Sequence, residues 1–379
     1  MNKRVVVAMS GGVDSSVAAL LLQQQGYDVI GVTMKLYSLD EADLPDYYRG
    51  CCTVDDVEDA RIVCQRLGVP HYVMNVQKEF QTFVIDYFCA EYQKGRTPHP
   101  CIACNDKIKF NFLAHRASVL KADYVATGHY ARIEENGAGF SLKKGLDASK
   151  DQSYVLYGMG QAELAHSLMP VGAYTKDDIR RMALESNFPN AEKPDSQDIC
   201  FVPGGDYAAI IEMLRPGAAE PGEIVDLAGT VVGEHAGIIH YTVGQRRGLG
   251  IAASKPLYVV AVNAASRRVT VGPKAALLCD RVRLRQRQFI DPEASLQSAG
   301  DVIVRLRSTH PGVPGHLTLL DNGKSEIRLA QPEPATARGQ AAVCYRGNKV
   351  LGGGWIASME RSAALRQATP LSSLVNSQQ

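Results

Sequence analysis

Apolar and polar positions follow two rhythms along this chain. Val5 to Met9 is a short unbroken apolar run, followed by a glycine-rich stretch. Val13 to Gln25 then carries its apolar residues at helical spacing, Gly26 is placed to stop it, and Val29 to Met34 is a second apolar run. The pattern repeats: Val54 to Leu67 reads as a helix ended by Gly68 and Pro70, and His71 to Val76 as a strand. Lys78 to Lys94 presents Phe80, Phe83, Val84, Tyr87 and Phe88 at helical spacing, and Asp123 to Thr127 is a further buried strand. Strands alternating with helices predict an α/β fold with a doubly wound parallel sheet. After about residue 203 the rhythm changes. Pro203-Gly204-Gly205, Pro216-Gly217 and Pro221-Gly222 break any long helix, and short β-rich runs follow (Leu257 to Val262, Arg268 to Val271, Val302 to Leu306, Gly315 to Leu320). The expected organisation is an α/β domain over 1–205, a small connecting domain over 206–280, a β-barrel-like domain over 281–360 and a frayed polar tail over 361–379.

The length supports this division, because 379 residues exceed what one hydrophobic core serves. The sequence holds no apolar run of about 20 residues, and its first 25 residues read as strand and helix, not as a signal peptide. A cytoplasmic location with no membrane partner is expected. Nine cysteines, an odd number spread over a large chain, point to reduced thiols rather than structural disulfides. The net charge of +1 conceals segregation. Leu36 to Ala60 holds eight acids against Arg49 alone, while His240 to Arg287 holds ten Lys or Arg residues against Asp280 alone. A basic region of that size suits a polyanion such as a nucleic acid, although a solvated arginine-rich β surface is the plainer alternative.

Ser10-Gly11-Gly12-Val13-Asp14-Ser15-Ser16 falls between a buried strand and a helix start, where backbone N–H groups can hold phosphates. It matches neither G-x-x-x-x-G-K-[ST] nor G-x-G-x-x-G, which disfavours an ordinary P-loop NTPase or a dehydrogenase. The plain alternative is a β–α turn with Asp14 and Ser15 capping the helix. The run resembles the SGGxDS pyrophosphate loop of the PP-loop ATP pyrophosphatase superfamily, whose members use ATP to adenylate an oxygen. That resemblance implies ATP contacts from Ala8, Met9, Ser10, Gly11, Gly12, Val13, Asp14 and Ser15, with Met34 and Gly128 meeting the adenosine. Asp14 would be a contact for Mg²⁺ or pyrophosphate, or else a helix cap.

Cys101 and Cys104 stand three apart in the proline-rich run Thr97 to Asn105, just before a helix start, a setting that favours thiolate. Alone, the pair would suit half a zinc site, a redox pair or chance. Cys200 lies in the polar run Lys193 to Phe201. With GRTPHPCIACNDKIKF (95–110), ATGHYARI (126–133), KDQSYVLY (150–157), KPDSQDICFVP (193–203), YTVGQRRGLGI (241–251) and GQAAVCYRGNKVLGGG (339–354), the chain resembles the tRNA-specific 2-thiouridylase family over nearly its full length. The resemblance implies that Cys200 accepts sulfur as a persulfide and that Cys104 is its partner thiol. It implies that ATP adenylates the O2 of a tRNA wobble uridine, with a sulfur-donor protein as a second partner. It also implies that His99, Pro100 and Cys101 face the target base, and that His129, Lys150, Asp151, Gln152, Arg305, Leu306 and Gln340 contact tRNA. The family's usual T-P-N-P-D-x-x-C is altered here, His99 and Cys101 replacing Asn and Asp. Three thiols, Cys101, Cys104 and Cys200, would alternatively ligate a [4Fe–4S] cluster. Asp195, Ser196, Gln197 and Asp198 read as a mobile polar segment carrying Cys200. Two competing readings are a PP-loop enzyme that amidates or ligates with ATP, needing no paired thiols, and a non-catalytic tRNA-binding or iron–sulfur scaffold. Cys51-Cys52 precedes a helix, Cys64 and Cys89 sit at helical positions expected in the core, and Cys279 and Cys344 lie in β-rich segments with no chemistry assigned; the histidines at 71, 115, 166, 235, 240 and 310 show no ligand spacing.

Overall fold

The computed structural model describes residues 2–37, 54–137, 139–195, 199–290, 300–321 and 323–368. Strand β1 (Arg4–Ala8) lies at the middle of its sheet, and Val5, Val6 and Val7 have no exposed surface. Such continuous burial requires cover on both faces, as a parallel sheet receives from its crossover helices. β2 (Asp28–Lys35) and β3 (His71–Asn75) extend the sheet on one side, and β4 (Tyr124–Ala126) and β7 (Ser167–Leu168) on the other, all in parallel, in the order β3-β2-β1-β4-β7. Alternate residues feed two cores. Val6, Ile30, Val32 and Met34 pack with Phe80, Phe88, Ile108 and Phe201, whereas Val5, Val7 and Val29 pack with Val17, Leu21, Val63 and Ile179. Helices α1 (Val13–Gln24) and α2 (Val54–Leu67) cover the second face. The helical stretch at 77–93 contains a π-turn at Gln81–Ile85, and a second π segment, Cys104–Phe112, follows the short helix Pro100–Ala103. Helix α3 (Lys176–Glu185) opens on Thr175, whose hydroxyl accepts from the Asp178 N–H, and α4 (Tyr207–Leu214) leads out of this domain.

The central unit is a four-stranded sheet built from β8 (Gly222–Val225), β9 (Val231–His235), β10 (Tyr258–Asn263) and β11 (Arg268–Gly272), in the order β10-β11-β8-β9, around Ile224, Val259, Val269 and Val271. Beyond it, β12 (Leu278–Phe289), β13 (Gly300–Arg305), β14 (Val313–Leu319), β15 (Ser325–Pro334), β16 (Ala341–Arg346) and β17 (Lys349–Glu360) pair in the order β12-β15-β14-β13-β16-β17. Pairing of β17 back onto β12 closes a six-stranded antiparallel barrel, which removes the sheet edges.

The sequence pattern did not reveal the hairpin β5 (Ala131–Asn136) and β6 (Gly139–Lys144). It leaves the α/β domain and joins the barrel through the pairing of Lys143 with Lys349, which brings the mouth of the parallel sheet against the barrel wall. Of the expected frayed tail, Ala363–Ala368 is a short helix, while 369–379 lies outside the described residues, as do Cys51 and Cys52. No helix among the described residues is long and apolar enough to cross a membrane.

Candidate active site

In an open parallel sheet, ligands meet the carboxyl ends of the strands where the chain's winding reverses direction. Here that point lies between β1 and β4, so the loops that follow them, Met9–Gly12 and Thr127–His129, face each other. Gly11 has φ +74°, a left-handed conformation that costs a side chain dearly, and a Cβ there would lie 2.4 Å from the Asp56 carbonyl oxygen. A Cβ on Gly128 would lie 2.7 Å from the Ser15 nitrogen, so the two loops touch through backbone alone. The hydroxyl of Ser15 accepts from the Ser10 N–H at 3.2 Å and donates to the Gly12 carbonyl at 3.0 Å. Asn190, 1% exposed, donates to the Gly11 carbonyl at 2.8 Å. Side chains thus brace the loop from beneath, while α1 begins at Gly12 with no side-chain cap, so its first N–H groups are left for an anion.

These N–H groups open onto a cavity of about 1010 Å³, lined by the loop (Ser10 to Asp14), by Lys150, Lys193 and Asp195, and by Arg305 and Asn348 of the barrel. Lysines surround the loop. Lys176, 7% exposed, places its ammonium 2.7 Å from Asp14 Oδ1 and 2.7 Å from Asp195 Oδ1, and the Tyr130 hydroxyl donates to the same Asp14 oxygen at 2.7 Å. Lys150 holds the other Asp195 oxygen at 2.7 Å, and Lys193 bridges Asp56 and Asp59 at 2.7 and 2.6 Å. Burial would raise the Asp195 carboxyl, but the hydrogen bonds from Lys150 and Lys176 outweigh it and hold the group below the usual carboxylate range. Mg²⁺ characteristically takes one or two carboxylates and completes its shell with phosphate oxygens and water. Asp14 at the loop fits that role, in exchange with Lys176. Neither Lys176 nor Lys193 was singled out from the sequence, since Lys176 is only the first residue of an ordinary amphipathic helix.

Cys104 is buried (8% exposed) in the same core that packs Phe80, Phe88 and Phe201, and Cys200 packs against that core from its edge. The hydroxyl of Tyr37, two residues beyond β2, donates to the Cys200 carbonyl at 2.5 Å, so Cys200 stands at the carboxyl edge of the sheet, the edge of the phosphate loop. Asp195, the first residue of the segment expected to carry Cys200, is held by two lysines, and Phe201 beyond it is 2% exposed. Ser196, Gln197 and Asp198 lie outside the described residues. Cys101 is exposed at the start of the helix, and the His99 ring rests 5.6 Å from that of Tyr154.

The chain matches three family models in succession: "tRNA methyl transferase HUP domain" over residues 3–204, "tRNA methyl transferase PRC-barrel domain" over 213–273 and "Aminomethyltransferase beta-barrel domain" over 279–356. It is 48% identical to the tRNA-specific 2-thiouridylase MnmA of Rhodospirillum centenum over 97% of this chain and 95% of that protein. Its identity to the Geobacter metallireducens protein of the same name is 46%, over 94% and 97%. The chain belongs to the tRNA-specific 2-thiouridylase family. Among solved structures, a 4-thiouridine synthetase in complex with RNA and bound ATP aligns at 19% identity over 52% of this chain and 45% of that one, with a TM-score of 0.35, too loose a likeness to argue from.

Against that family pattern, the structure sorts the residues expected at tRNA. His129, 7% exposed, faces Thr127 at 2.8 Å and Lys109 at 3.5 Å, and burial, reinforced by Lys109, holds it neutral well below the usual histidine range. Lys150 and Gln152 line the cavity, although the Gln152 side chain already accepts from the Tyr130 N–H at 2.9 Å. Asp151 and Arg305 form an ion pair at 2.6 Å with side chains 6% and 12% exposed, tying the loop at 145–153 to the barrel. The Gln340 amide donates to the Thr97 and Pro98 carbonyls at 2.9 and 3.3 Å, and so clamps the loop that carries His99 and Pro100. Leu306, also expected at tRNA, is 1% exposed in the barrel core. Much of the basic stretch is also internally matched. Arg281 and Arg283 face Glu326 at 3.4 Å each, Arg285 faces Glu91 at 3.5 Å, and Arg287 donates to the Leu320 and Lys324 carbonyls. Arg246 and Arg247 of the central unit are exposed.

Proposed function

We propose that this chain is a tRNA-uridine 2-sulfurtransferase that uses ATP to activate the wobble uridine and then exchanges its O2 for sulfur. What supports the reading is an uncapped anion-binding loop at the carboxyl end of the parallel sheet with Lys150, Lys176 and Lys193 about it, in a chain whose Cys104 and Cys200 pack in and against one core of that same sheet. ATP's phosphates would lie on the N–H groups of Gly12 to Asp14, with Met34 and Gly128 toward the adenosine. Bound Mg²⁺ would neutralise phosphate charge. The uracil O2 attacks the α-phosphorus, pyrophosphate leaves, and O2 becomes part of an adenylate. The terminal sulfur of a persulfide on Cys200 then attacks C2, and AMP departs with the former O2. The Cys104 thiolate attacks the Cys200 sulfur, breaking the persulfide S–S bond and closing a Cys104–Cys200 disulfide; an external thiol reductant reopens it, and a donor protein reloads Cys200 with sulfane sulfur.

His99 and Pro100, clamped by Gln340, would present the loop to the base, with exposed Cys101 beside them. We assign catalysis to 1–205, a connecting role to 206–280 and tRNA docking to the barrel of 281–360 with Arg246 and Arg247. The persulfide route needs only Cys104 in the core and Cys200 at its edge, whereas a cluster would also need Cys101, which is exposed. An amidating enzyme would not need the thiols at all. The test is substitution. Cys200→Ser and Cys104→Ser are expected to release pyrophosphate with ATP and tRNA yet make no 2-thiouridine, and Cys101→Ser to retain thiolation. Thiolation at the normal rate by Cys200→Ser would overturn the mechanism, and loss of bound iron together with activity in Cys101→Ser would replace the persulfide by the cluster.

A further inference from the structure

Two adjacent glycines leave one peptide plane of the phosphate loop free to turn, and a buried side chain 179 residues further along the chain decides which way it faces. Gly11 itself is boxed in, since a Cβ there would lie 2.4 Å from the Asp56 carbonyl oxygen and its φ of +74° favours glycine. Gly12 stands at φ −89° and ψ 159°. With glycine on both sides, the plane between them can rotate at little steric cost. Asn190 lies beneath that plane, 1% exposed, in the turn after α3. Its neighbours Phe188 and Ala191 pack in the core that includes Val17 and Ile179, which holds the turn in place. The Asn190 Nδ2 donates to the Gly11 carbonyl at 2.8 Å and to the Ser16 hydroxyl at 2.9 Å. A carbonyl oxygen can only accept, so the amide has one workable orientation. Its Oδ1 then finds no partner among the described residues. Leucine, of like volume, would avoid the cost of that unmatched acceptor, so packing alone does not account for an amide at this position.

We propose that Asn190 is a positioning residue for adenylation: by drawing the Gly11 carbonyl inward it turns the Gly12 N–H out into the cavity, to donate to the phosphates of ATP. The proposal rests on the ATP reading above. In a planar trans peptide the C=O and N–H of one unit point in opposite directions, so whatever holds the oxygen also aims the hydrogen. The exposure of the two residues agrees, because Gly12 lines the cavity and Gly11 is buried behind it. The next plane is set in the same way. The Ser16 hydroxyl accepts from Asn190 and donates to the Gly12 carbonyl at 3.1 Å, and the Ser15 hydroxyl donates to the same oxygen at 3.0 Å, which leaves the Val13 N–H facing away from them. Were the plane between Gly11 and Gly12 reversed, a carbonyl oxygen would face the phosphate oxygens, acceptor against acceptor. The turn that bears Asn190 is itself tied to the cavity: the Lys193 N–H donates to the Asn190 carbonyl at 3.1 Å, while the Lys193 ammonium holds Asp56 and Asp59.

The test compares ligands that do and do not carry phosphate. Binding of ATP, inorganic pyrophosphate and adenosine to the full chain, with Mg²⁺ present, would be measured by calorimetry for the wild-type protein, Asn190→Leu and Asn190→Asp. Leucine keeps the volume and cannot donate. Aspartate keeps the shape and, as a carboxylate, sets a negative oxygen against the Gly11 carbonyl. Both variants are expected to bind ATP and pyrophosphate roughly 10- to 150-fold more weakly, the range for one hydrogen bond to a charged group, and to bind adenosine as the wild type does. The KM for tRNA should not move. A residue that only braced the domain would weaken all three ligands together or none of them, and either pattern would overturn the proposal. The unmodified protein supplies a check that depends on neither variant folding: bound pyrophosphate should slow hydrogen exchange at the Gly12 amide. Exchange at Gly12 unaltered in protein that does bind pyrophosphate would overturn the role of Asn190 and leave the ATP reading standing. No binding of ATP or pyrophosphate by the wild-type protein would overturn both.

Discussion

Lys176 gives the sharpest test of how the site is wired. Its ammonium, in a side chain 9% exposed, lies between Asp14 and Asp195 at 2.7 Å from each. Lys176→Met keeps most of the volume and removes the charge. Breaking a buried ion pair on one side costs about 3–5 kcal/mol when the abandoned charge has nothing else. Here Asp14 keeps the Tyr130 hydroxyl and is 31% exposed, and Asp195 keeps Lys150. The cost is then that of losing charge-assisted hydrogen bonds to groups that retain a partner, about 1.5–3 kcal/mol. For an α/β domain of roughly 200 residues this is a fall of about 3–12 °C in the first calorimetric transition. If Lys176 turns from Asp14 to the ATP phosphates on binding, a similar free energy is lost from the nucleotide complex, which is a rise of roughly 10- to 150-fold in the KM for ATP. Pyrophosphate release at saturating tRNA measures it, and the KM for tRNA should move little. A Lys176→Met protein with a lowered Tm but an unchanged KM for ATP would show that the lysine only braces the fold and would refute its place at the phosphates.

Gly128→Val should abolish pyrophosphate release while leaving tRNA binding in a filter assay nearly intact, because its Cβ would fall 2.7 Å from the Ser15 nitrogen and push the two loops apart. Arg305→Leu leaves Asp151 charged and 6% exposed but still held by the Gly145 and Ser153 N–H groups and the Ser153 hydroxyl, so it should cost about 1.5–3 kcal/mol and loosen the joint between barrel and α/β domain, seen as faster limited proteolysis in the loop at 145–153; an unchanged proteolytic pattern would remove the joint from the argument. Burial pushes His99 down to about 4, so the folded state resists a proton that the unfolded chain accepts near 6.5. Stability should therefore fall as pH drops from about 6.5 toward 4 and be unaffected by His99 above that window, and His99→Gln should flatten the fall in a urea titration at stepped pH.

What could be read in advance was what is local. The loop after β1, the stop at Gly26 and the strands near Val29 and His71 are each dictated by a few neighbouring residues, and each stands where the apolar rhythm put it. The hairpin β5 and β6 was missed because its alternation is polar and its reason for existing, the pairing of Lys143 with Lys349, is more than 200 residues away. The same distance misleads about charge. The acidic partners of Arg281, Arg283 and Arg285 are Glu326, Glu360 and Glu91, so a stretch that is strongly basic on paper is partly neutralised once folded. It also hides roles within the fold. Arg305, Asp151 and Gln340, which the resemblance expects at tRNA, hold one another or the backbone of the Thr97 loop. Gln340 and Arg305 hold that loop and its neighbour from the barrel side, while the Thr97 hydroxyl meets Thr242 of the central unit at 3.0 Å. The segment that bears His99 and Cys101 is therefore gripped by all three parts of the chain, so a tRNA that shifts the barrel must shift the reaction loop with it. One joint thus fixes where the reaction loop stands relative to the barrel, a role that no single stretch of sequence discloses because its partners come from Thr97, Thr242 and Gln340.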